Sequence, residues 1–194
     1  RHRGTRLAGP SAIAVAGTLM LWWTWATWPD LIIDFGRELY LPWQITEGKV
    51  LYKDLASFNG PVSPYVNAIW FQLLGVSLRS LAVGNILITA GLTAMLYRVL
   101  MAIGGKGSAV VGGLVFVVVF SCAQLSPTGN FNFITPYSHE LTHGLALSTA
   151  CILCFRRYVA SRGQKRRATA LAAAGALIGL TFLTKTEVFA ALSG

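Results

Sequence analysis

The stretch RRYVASRGQKRR, residues 156–167, carries six of the 16 lysine and arginine residues of the chain and lies between two apolar runs. Lysine and arginine are enriched in the cytoplasmic loops of membrane proteins, and this bias sets the orientation of the spans on either side. The stretch therefore predicts a cytoplasmic loop, with one membrane-spanning helix entering it and another leaving it.

The composition of the whole chain agrees with a membrane protein. Of 194 residues, 54% are hydrophobic and only 12% are charged, with a mean hydropathy of +0.58, whereas about a quarter of a soluble domain is charged. We expect an all-α, polytopic bundle of transmembrane helices, in which residues 1–194 form one membrane domain at the N-terminal end of a longer enzyme. Five apolar runs suit the length of a span, and they cover about 7–28, 81–101, 108–125, 138–155 and 168–184.

Charge decides how these five spans are oriented. With the N-terminus inside, the cytoplasmic segments 1–6, 98–106 and 156–167 hold 11 of the 16 basic residues. Residues 65–75 are too short to cross, so we expect them to lie on the outer surface as an amphipathic or re-entrant helix. The net charge of +9 is accounted for by this pattern, which argues against a nucleic-acid partner. We expect a multi-pass protein of the bacterial inner membrane with a cytoplasmic N-terminus.

The acidic residues lie on the opposite side from the basic loops. All seven fall outside the membrane in this topology: Asp30, Asp34, Glu38, Glu47, Asp54, Glu140 and Glu187. The outer loop 29–80 is too rich in aromatic and aliphatic residues to be disordered, so we expect it to carry juxtamembrane helices. Asp34 is a candidate N-cap for one of them, with Glu38 one turn later.

The order of motifs in this outer loop resembles a known family. Asp34 and Glu38 are followed by GKVLYKD (Gly48–Asp54), GPVSPY (Gly60–Tyr65), LGVS (Leu74–Ser77) and Arg79. This order resembles the membrane glycosyltransferases of the GT-C fold, in the protein mannosyltransferase and aminoarabinose transferase-like group (glycosyltransferase family 39-like). Two departures are that the adjacent Asp-Glu pair of the family is replaced by Asp34 and Glu38, and that its lysine before the Pro-rich element is absent near Asn59.

The resemblance implies an enzyme that moves a sugar from a polyprenyl-phosphate carrier to a lipid, glycan or protein acceptor at the extracytoplasmic face. It implies catalytic carboxylates at Asp34 and Glu38, because a carboxylate has to accept the acceptor proton or hold a divalent metal ion that helps. Positive charge near the departing phosphate is also needed. The expected substrate-binding residues are Arg79, Lys185, Asn59, Tyr65, His139 and Glu140, and membrane lipids are expected partners.

A second motif favours a different class of enzyme. PYSHELTHG, residues 136–144, contains the H-E-x-x-H pattern of zinc proteases, in which His139 and His143 would share a metal and Glu140 would be the base. No histidine follows His143, so a third ligand is missing within the chain. Asp34, His139 and His143 form the expected metal set if these groups meet across the outer side. An intramembrane metalloprotease and a non-catalytic transporter therefore remain alternatives to the glycosyltransferase.

Overall fold

The computed structural model describes residues 4–28, 35–122 and 131–194. In these parts the protein has an all-α fold, with helices joined by turns and loops. Seven α-helices follow one another there, and α4 continues directly into a π-helical segment, Phe116–Ser121. Their bounds are Gly4–Thr24 (α1), Phe35–Thr46 (α2), Val62–Leu74 (α3), Leu78–Val115 (α4), His139–Ala160 (α5), Gln164–Phe182 (α6) and Thr186–Ser193 (α7). The all-α prediction is confirmed for these residues.

Helix α4 reverses direction at Gly105, which divides it into two antiparallel halves. The backbone there is non-helical, with φ 75° and ψ −166°, a conformation that glycine adopts without the penalty of a Cβ. Leu100 packs onto Gly112 on the far side of the bend, and Leu92 shares a buried cluster with Phe116. In a straight helix Leu92 and Phe116 would be about 36 Å apart, so the two halves lie side by side.

Helix α1 runs alongside the second half of α4 in the same direction. Ile13 fits against Gly113, where an added Cβ would lie 2.5 Å from the Ile13 Cδ1 atom. Further along both helices, Gly17 faces Val117. At the end of α1, the Trp28 indole N–H donates to the carbonyl of Cys122 at 2.9 Å. Glycine on one helix opposite a bulky aliphatic side chain on the next permits this close approach.

Helices α5 and α6 form an antiparallel hairpin around the basic loop, with Cys151 packed on the carbonyl of Ala174. Five helical segments alternate in direction along the chain: α1, the first half of α4, the second half of α4, α5 and α6. One end of the bundle therefore holds Trp28, the start of α4, Cys122, the start of α5 and the end of α6. We call this the site end. The basic loop 156–167 and the bend at Gly105 lie at the opposite end.

The helices predicted between residues 29 and 80 are found in the described part, whereas the position of this segment relative to a membrane stays a prediction. A helix begins at Phe35 and continues through Pro42 to Thr46, and a turn follows at Gly48 with φ 88°. The short apolar run 65–75 is helical as part of α3. Asp34, the predicted cap of α2, lies outside the described residues.

Among the described residues, two helical segments are long and apolar enough to cross a membrane by length and composition, Leu7–Thr24 and Leu78–Ser121. The second corresponds to two of the predicted spans, because the reversal at Gly105 separates them. Helices α5 and α6 extend beyond the predicted spans toward the basic loop, to Ala160 and from Gln164. The side chains of Trp22 and Trp23 at the end of α1 are 79% and 75% exposed, which is typical of residues that contact lipid.

Gly60 fastens the outer loop to the end of α6. Its N–H donates to the Thr184 carbonyl at 2.9 Å, and the Val62 N–H donates to the Leu183 carbonyl at 3.1 Å. A Cβ at Gly60 would overlap the backbone carbonyl of Leu183. The backbones are in contact here, so only glycine fits.

We expect Gly60→Ala to lower the free energy of unfolding by about 1–3 kcal/mol, the usual cost of forcing atoms into a packed site. Gly36→Ala is the matched control, because a Cβ on Gly36 in α2 meets nothing within 4 Å. Thermal unfolding in detergent micelles measures both variants. Equal unfolding midpoints for the two variants would contradict the contact between residues 60 and 183.

Candidate functional site

A group of buried polar side chains lies at the site end, where α2, α3, α4 and α5 meet. Its members are Arg37 and Glu38 from α2, Ser63 and Asn67 from α3, Asn85 from α4, and Ser138, His139, Glu140 and His143 at the start of α5. We call these nine residues the polar cluster. An apolar layer of Phe35, Phe71 and Leu81 packs beside it and attaches α2 to α3 and α4.

His139 is the most enclosed member of the polar cluster, with no exposed surface. Its Nδ1 atom is hydrogen-bonded to the side-chain amide of Asn67. The Asn85 Nδ2 group donates to the carbonyl of Ile134 at 2.9 Å and lies 3.3 Å from the Nε2 atom of His139. A neutral imidazole accepts a hydrogen bond at only one ring nitrogen, so only one of these two amide NH2 groups can donate to the ring. The Nδ1 atom also faces Glu38.

Glu38 lies behind Arg37, which separates it from solvent. The Arg37 guanidinium contacts Glu38 Oε1 at 2.8 Å and lies 3.8 Å from Glu140 Oε2. Only about 5% of Glu38 is exposed, and its Oε2 atom lies 3.9 Å from the Nδ1 atom of His139. The Ser138 hydroxyl donates to Glu140 at 2.8 Å. One guanidinium is thus shared by two buried carboxyl groups.

Burial raises the pKa of the Glu38 carboxyl from 4.5 to about 8, and the nearby Glu140 adds to the rise. The hydrogen bond and charge of Arg37 act in the opposite direction. They do not reverse the shift, because the Arg37 side chain is 38% exposed and water screens part of its charge. A carboxyl with a pKa near neutral exchanges protons readily at physiological pH, which suits general acid–base chemistry.

His143 occupies the next turn of α5, with its ring centroid 6.0 Å from that of His139. Its Nδ1 atom is hydrogen-bonded to the Ser63 hydroxyl at 2.9 Å. Among the described residues, none is hydrogen-bonded to its Nε2 atom. His143 therefore links α5 to α3 and keeps one ring nitrogen available for another group.

A divalent metal ion at the polar cluster stays a prediction, because Asp34 lies outside the described residues and the described ones include no group of three ligands. Both ring nitrogens of His139 face asparagine amides, and Glu38 is engaged by Arg37. Across residues 4–28, 35–122 and 131–194, no three His, Cys, Asp or Glu side chains are grouped as ligands. A catalytic zinc normally needs three. The predicted metal set also included Asp34, which lies outside the described residues.

The remaining predicted site residues lie at the same end but outside the polar cluster. The carbonyl of Asn59 accepts from Tyr52 and Ser57, at 2.6 and 3.2 Å. Lys185 is half-buried and directly follows Thr184, whose hydroxyl approaches Gly144, the residue after the H-E-x-x-H motif. Tyr65 and Arg79 are exposed.

Five members of the polar cluster are missed by sequence reasoning: Arg37, Ser63, Asn67, Asn85 and Ser138. The asparagines carry a usable signal, because each interrupts an apolar run, YVNAIW around Asn67 and VGNILI around Asn85. An amide in such a run needs a buried hydrogen-bond partner. Arg37 and Ser63 lie in mixed sequence and carry no comparable signal.

Comparison with family models, with curated proteins and with solved structures found no match to this chain.

The raised pKa of Glu38 predicts a stability that depends on pH. Between about 4.5 and 8 the unfolded chain has lost the Glu38 proton and the folded protein retains it. The free energy of unfolding therefore falls as pH rises through this interval, by up to about 1.4 kcal/mol per pH unit. Glu38→Gln should remove this dependence, whereas Glu47→Gln, at an exposed position, should retain it. Unfolding midpoints in detergent at pH 5 and pH 8 test this, and identical slopes in all three proteins would contradict it.

Proposed function

We propose that the chain is the N-terminal part of a membrane glycosyltransferase that moves a sugar from a polyprenyl-phosphate carrier to an acceptor at the extracytoplasmic face. The observation that carries the proposal is the buried pair Glu38 and Glu140 around Arg37, enclosed by the outer-loop helices at the site end. The carboxyl groups of such a site supply a proton acceptor, and its guanidinium supplies positive charge for a phosphate leaving group.

A multi-pass topology is part of this proposal. The alternating directions of α1, the two halves of α4, α5 and α6 support five passes, with loop 156–167 in the cytoplasm. The basic residues of that loop lie at one end and the acidic polar cluster lies at the other, which suits a bacterial inner-membrane protein whose N-terminus is cytoplasmic. The site end then faces the side on which lipid-linked sugars are used.

The family-like motifs of the outer loop have structural roles that support the resemblance. In GKVLYKD, the Asp54 carboxylate accepts from the Val50 N–H at 2.9 Å and closes a tight turn, and the Tyr52 hydroxyl donates to the Asn59 carbonyl. In GPVSPY, Gly60 fastens the loop to the end of α6, directly before Lys185. These motifs therefore build the wall of the candidate site.

The proposed reaction assigns a role to each charged group. The acceptor oxygen bonds to the anomeric carbon of the sugar while the bond from that carbon to the carrier phosphate breaks. A carboxylate accepts the acceptor proton, and the resemblance gives this role to Asp34, with Glu38 as the second carboxyl group. Lys185, and Arg79 at the start of α4, are the proposed cations for the departing polyprenyl phosphate. None of these proposed steps uses a metal ion.

The alternative of a zinc protease has less support from the described geometry. A metal bound at one ring nitrogen of His139 would displace the asparagine amide at that nitrogen, and a buried amide would lose a hydrogen-bond partner. The same contacts are compatible with a hydrogen-bonded site that binds a sugar or a phosphate. We therefore retain the glycosyltransferase as the proposed function.

Asp34→Asn should abolish sugar transfer, and Glu38→Gln should lower kcat by about 10²–10⁴-fold, the usual contribution of general acid–base groups. The assay uses full-length protein in liposomes and measures release of a radiolabelled sugar from its polyprenyl-phosphate carrier. Glu47→Gln is the control and should retain activity. Transfer that survives Asp34→Asn would overturn the catalytic role of that residue, and transport of the intact carrier by every variant would favour a transporter.

Lys185→Gln should reduce kcat by about 10²–10³-fold if the lysine stabilises the phosphate charge that develops during transfer. Lys53→Gln in the exposed turn of the outer loop is the matched control and should change kcat little. Steady-state kinetics in the same liposomes measure both. Equal effects of the two substitutions would exclude a specific role for Lys185.

A further inference from the structure

A cavity of about 610 Å³, separate from the polar cluster, lies between α1, the first half of α4 and the π-helical segment. Small side chains on facing helices create it, namely Ala14 and Gly17 on α1 with Ala90 and Ala94 on α4. Its volume falls within the range of about 300–1,000 Å³ for ligand pockets. None of the residues with a role in the proposed transfer lines it.

The cavity wall is mostly apolar, although five of its lining residues carry a hydroxyl group: Thr18, Thr89, Thr93, Tyr97 and Ser121. The Thr93 hydroxyl donates to the Thr89 carbonyl at 2.7 Å, and the Thr89 hydroxyl donates to the Phe133 carbonyl at 3.3 Å. The Ser121 hydroxyl donates to the Val117 carbonyl at 2.9 Å. Three of the five hydroxyl groups thus donate their protons to the protein backbone, and the wall suits hydrocarbon better than a polar substrate.

The two ends of the cavity differ in charge. Ile134 and Cys122 close the end near the polar cluster, whereas Tyr97 and Arg98 lie at the end near the bend of α4. The Arg98 side chain is exposed. Within the described part of the chain it forms none of the ion pairs found. A guanidinium of this kind is suited to bidentate binding of a phosphate group.

The dimensions of the cavity select the kind of molecule that fills it. From Pro10 to Leu21 it extends for about 17 Å along α1, close to half of the roughly 30 Å hydrocarbon core of a bilayer. A single acyl chain fits an apolar space of this length.

We infer that this cavity binds one acyl chain of an anionic phospholipid from the cytoplasmic leaflet, with the lipid phosphate at Arg98. The inference rests on the proposed membrane topology and does not depend on sugar transfer. Basic groups between helices on the cytoplasmic side are suited to anionic head groups. The polyprenyl donor is a different molecule here, because its phosphate is needed at the opposite end of the bundle and its chain is several times longer than the cavity.

The test uses the full-length protein in mild detergent, without any sugar donor, and phosphatidylglycerol with a diazirine on its acyl chain. We expect photo-crosslinks on peptides of α1 and the first half of α4. Ala14→Trp fills the cavity and should reduce crosslinking about tenfold, since it removes most of the contact area of the chain. Ala12→Trp, exposed on the same helix and not part of the cavity wall, is the matched control and should leave it unchanged.

The head group is tested separately by native mass spectrometry. Arg98→Gln should weaken binding of phosphatidylglycerol about tenfold, the effect of losing one charge-assisted hydrogen-bonded pair, and should leave phosphatidylcholine binding unchanged. Arg156→Gln, exposed at the same end, is the control. Ala94→Trp on the opposite wall repeats the filling test if Ala14→Trp fails to fold.

Several results would overturn the inference. Equal crosslinking in Ala14→Trp and Ala12→Trp would place the lipid elsewhere. Crosslinks from the cavity to another segment of the same chain, or to a second copy, would identify a protein occupant. Equal loss of binding in Arg98→Gln and Arg156→Gln would show that general surface charge, and not a site at Arg98, accounts for the binding. Each of these readouts is independent of whether the protein transfers sugar.

Discussion

The enclosure of His139 between two asparagine amides is the constraint on which the site end depends. A buried imidazole needs hydrogen-bond partners, and here its two ring nitrogens face side chains from different helices, Asn67 on α3 and Asn85 on α4. These contacts favour the observed register of α3 and the starts of α4 and α5. The outer-loop helices are thereby attached to the bundle.

The same packing brings charged side chains together in a buried position, where the charged form is disfavoured. Glu38 and Glu140 share one guanidinium, and two buried carboxylates beside a single cation favour retention of a proton. The raised pKa of Glu38 is thus a consequence of the packing that aligns the helices. Between α1 and α4 the packing differs, because small residues on both helices leave a space that no side chain fills. One bundle therefore offers a polar site and a separate apolar cavity.

Local structure followed closely from the sequence, and boundaries and partners did not. The start of α2 at Phe35 agrees with the prediction of Asp34 as a helix cap, a residue type that acts over one turn. Helices α5 and α6 extend past the predicted spans because arginine and lysine continue a helix readily once it has formed. Whether the H-E-x-x-H motif meets Asp34 lies outside the described residues; within them, its His139 approaches Glu38 and its Glu140 approaches Arg37.

The sequence by itself determined the helical class, the order of the apolar segments and the separation of basic from acidic residues. These features depend on local sequence, namely on runs of apolar side chains and on the charged residues that precede or follow them. Tertiary structure alone decided that Asn67, Asn85 and His139 form one network, although 72 residues separate the first from the last. Such contacts depend on the register in which helices pack, and register is set by side-chain shape summed over the whole interface. For that reason the candidate site could be anticipated as an acidic outer face but not as a set of partners.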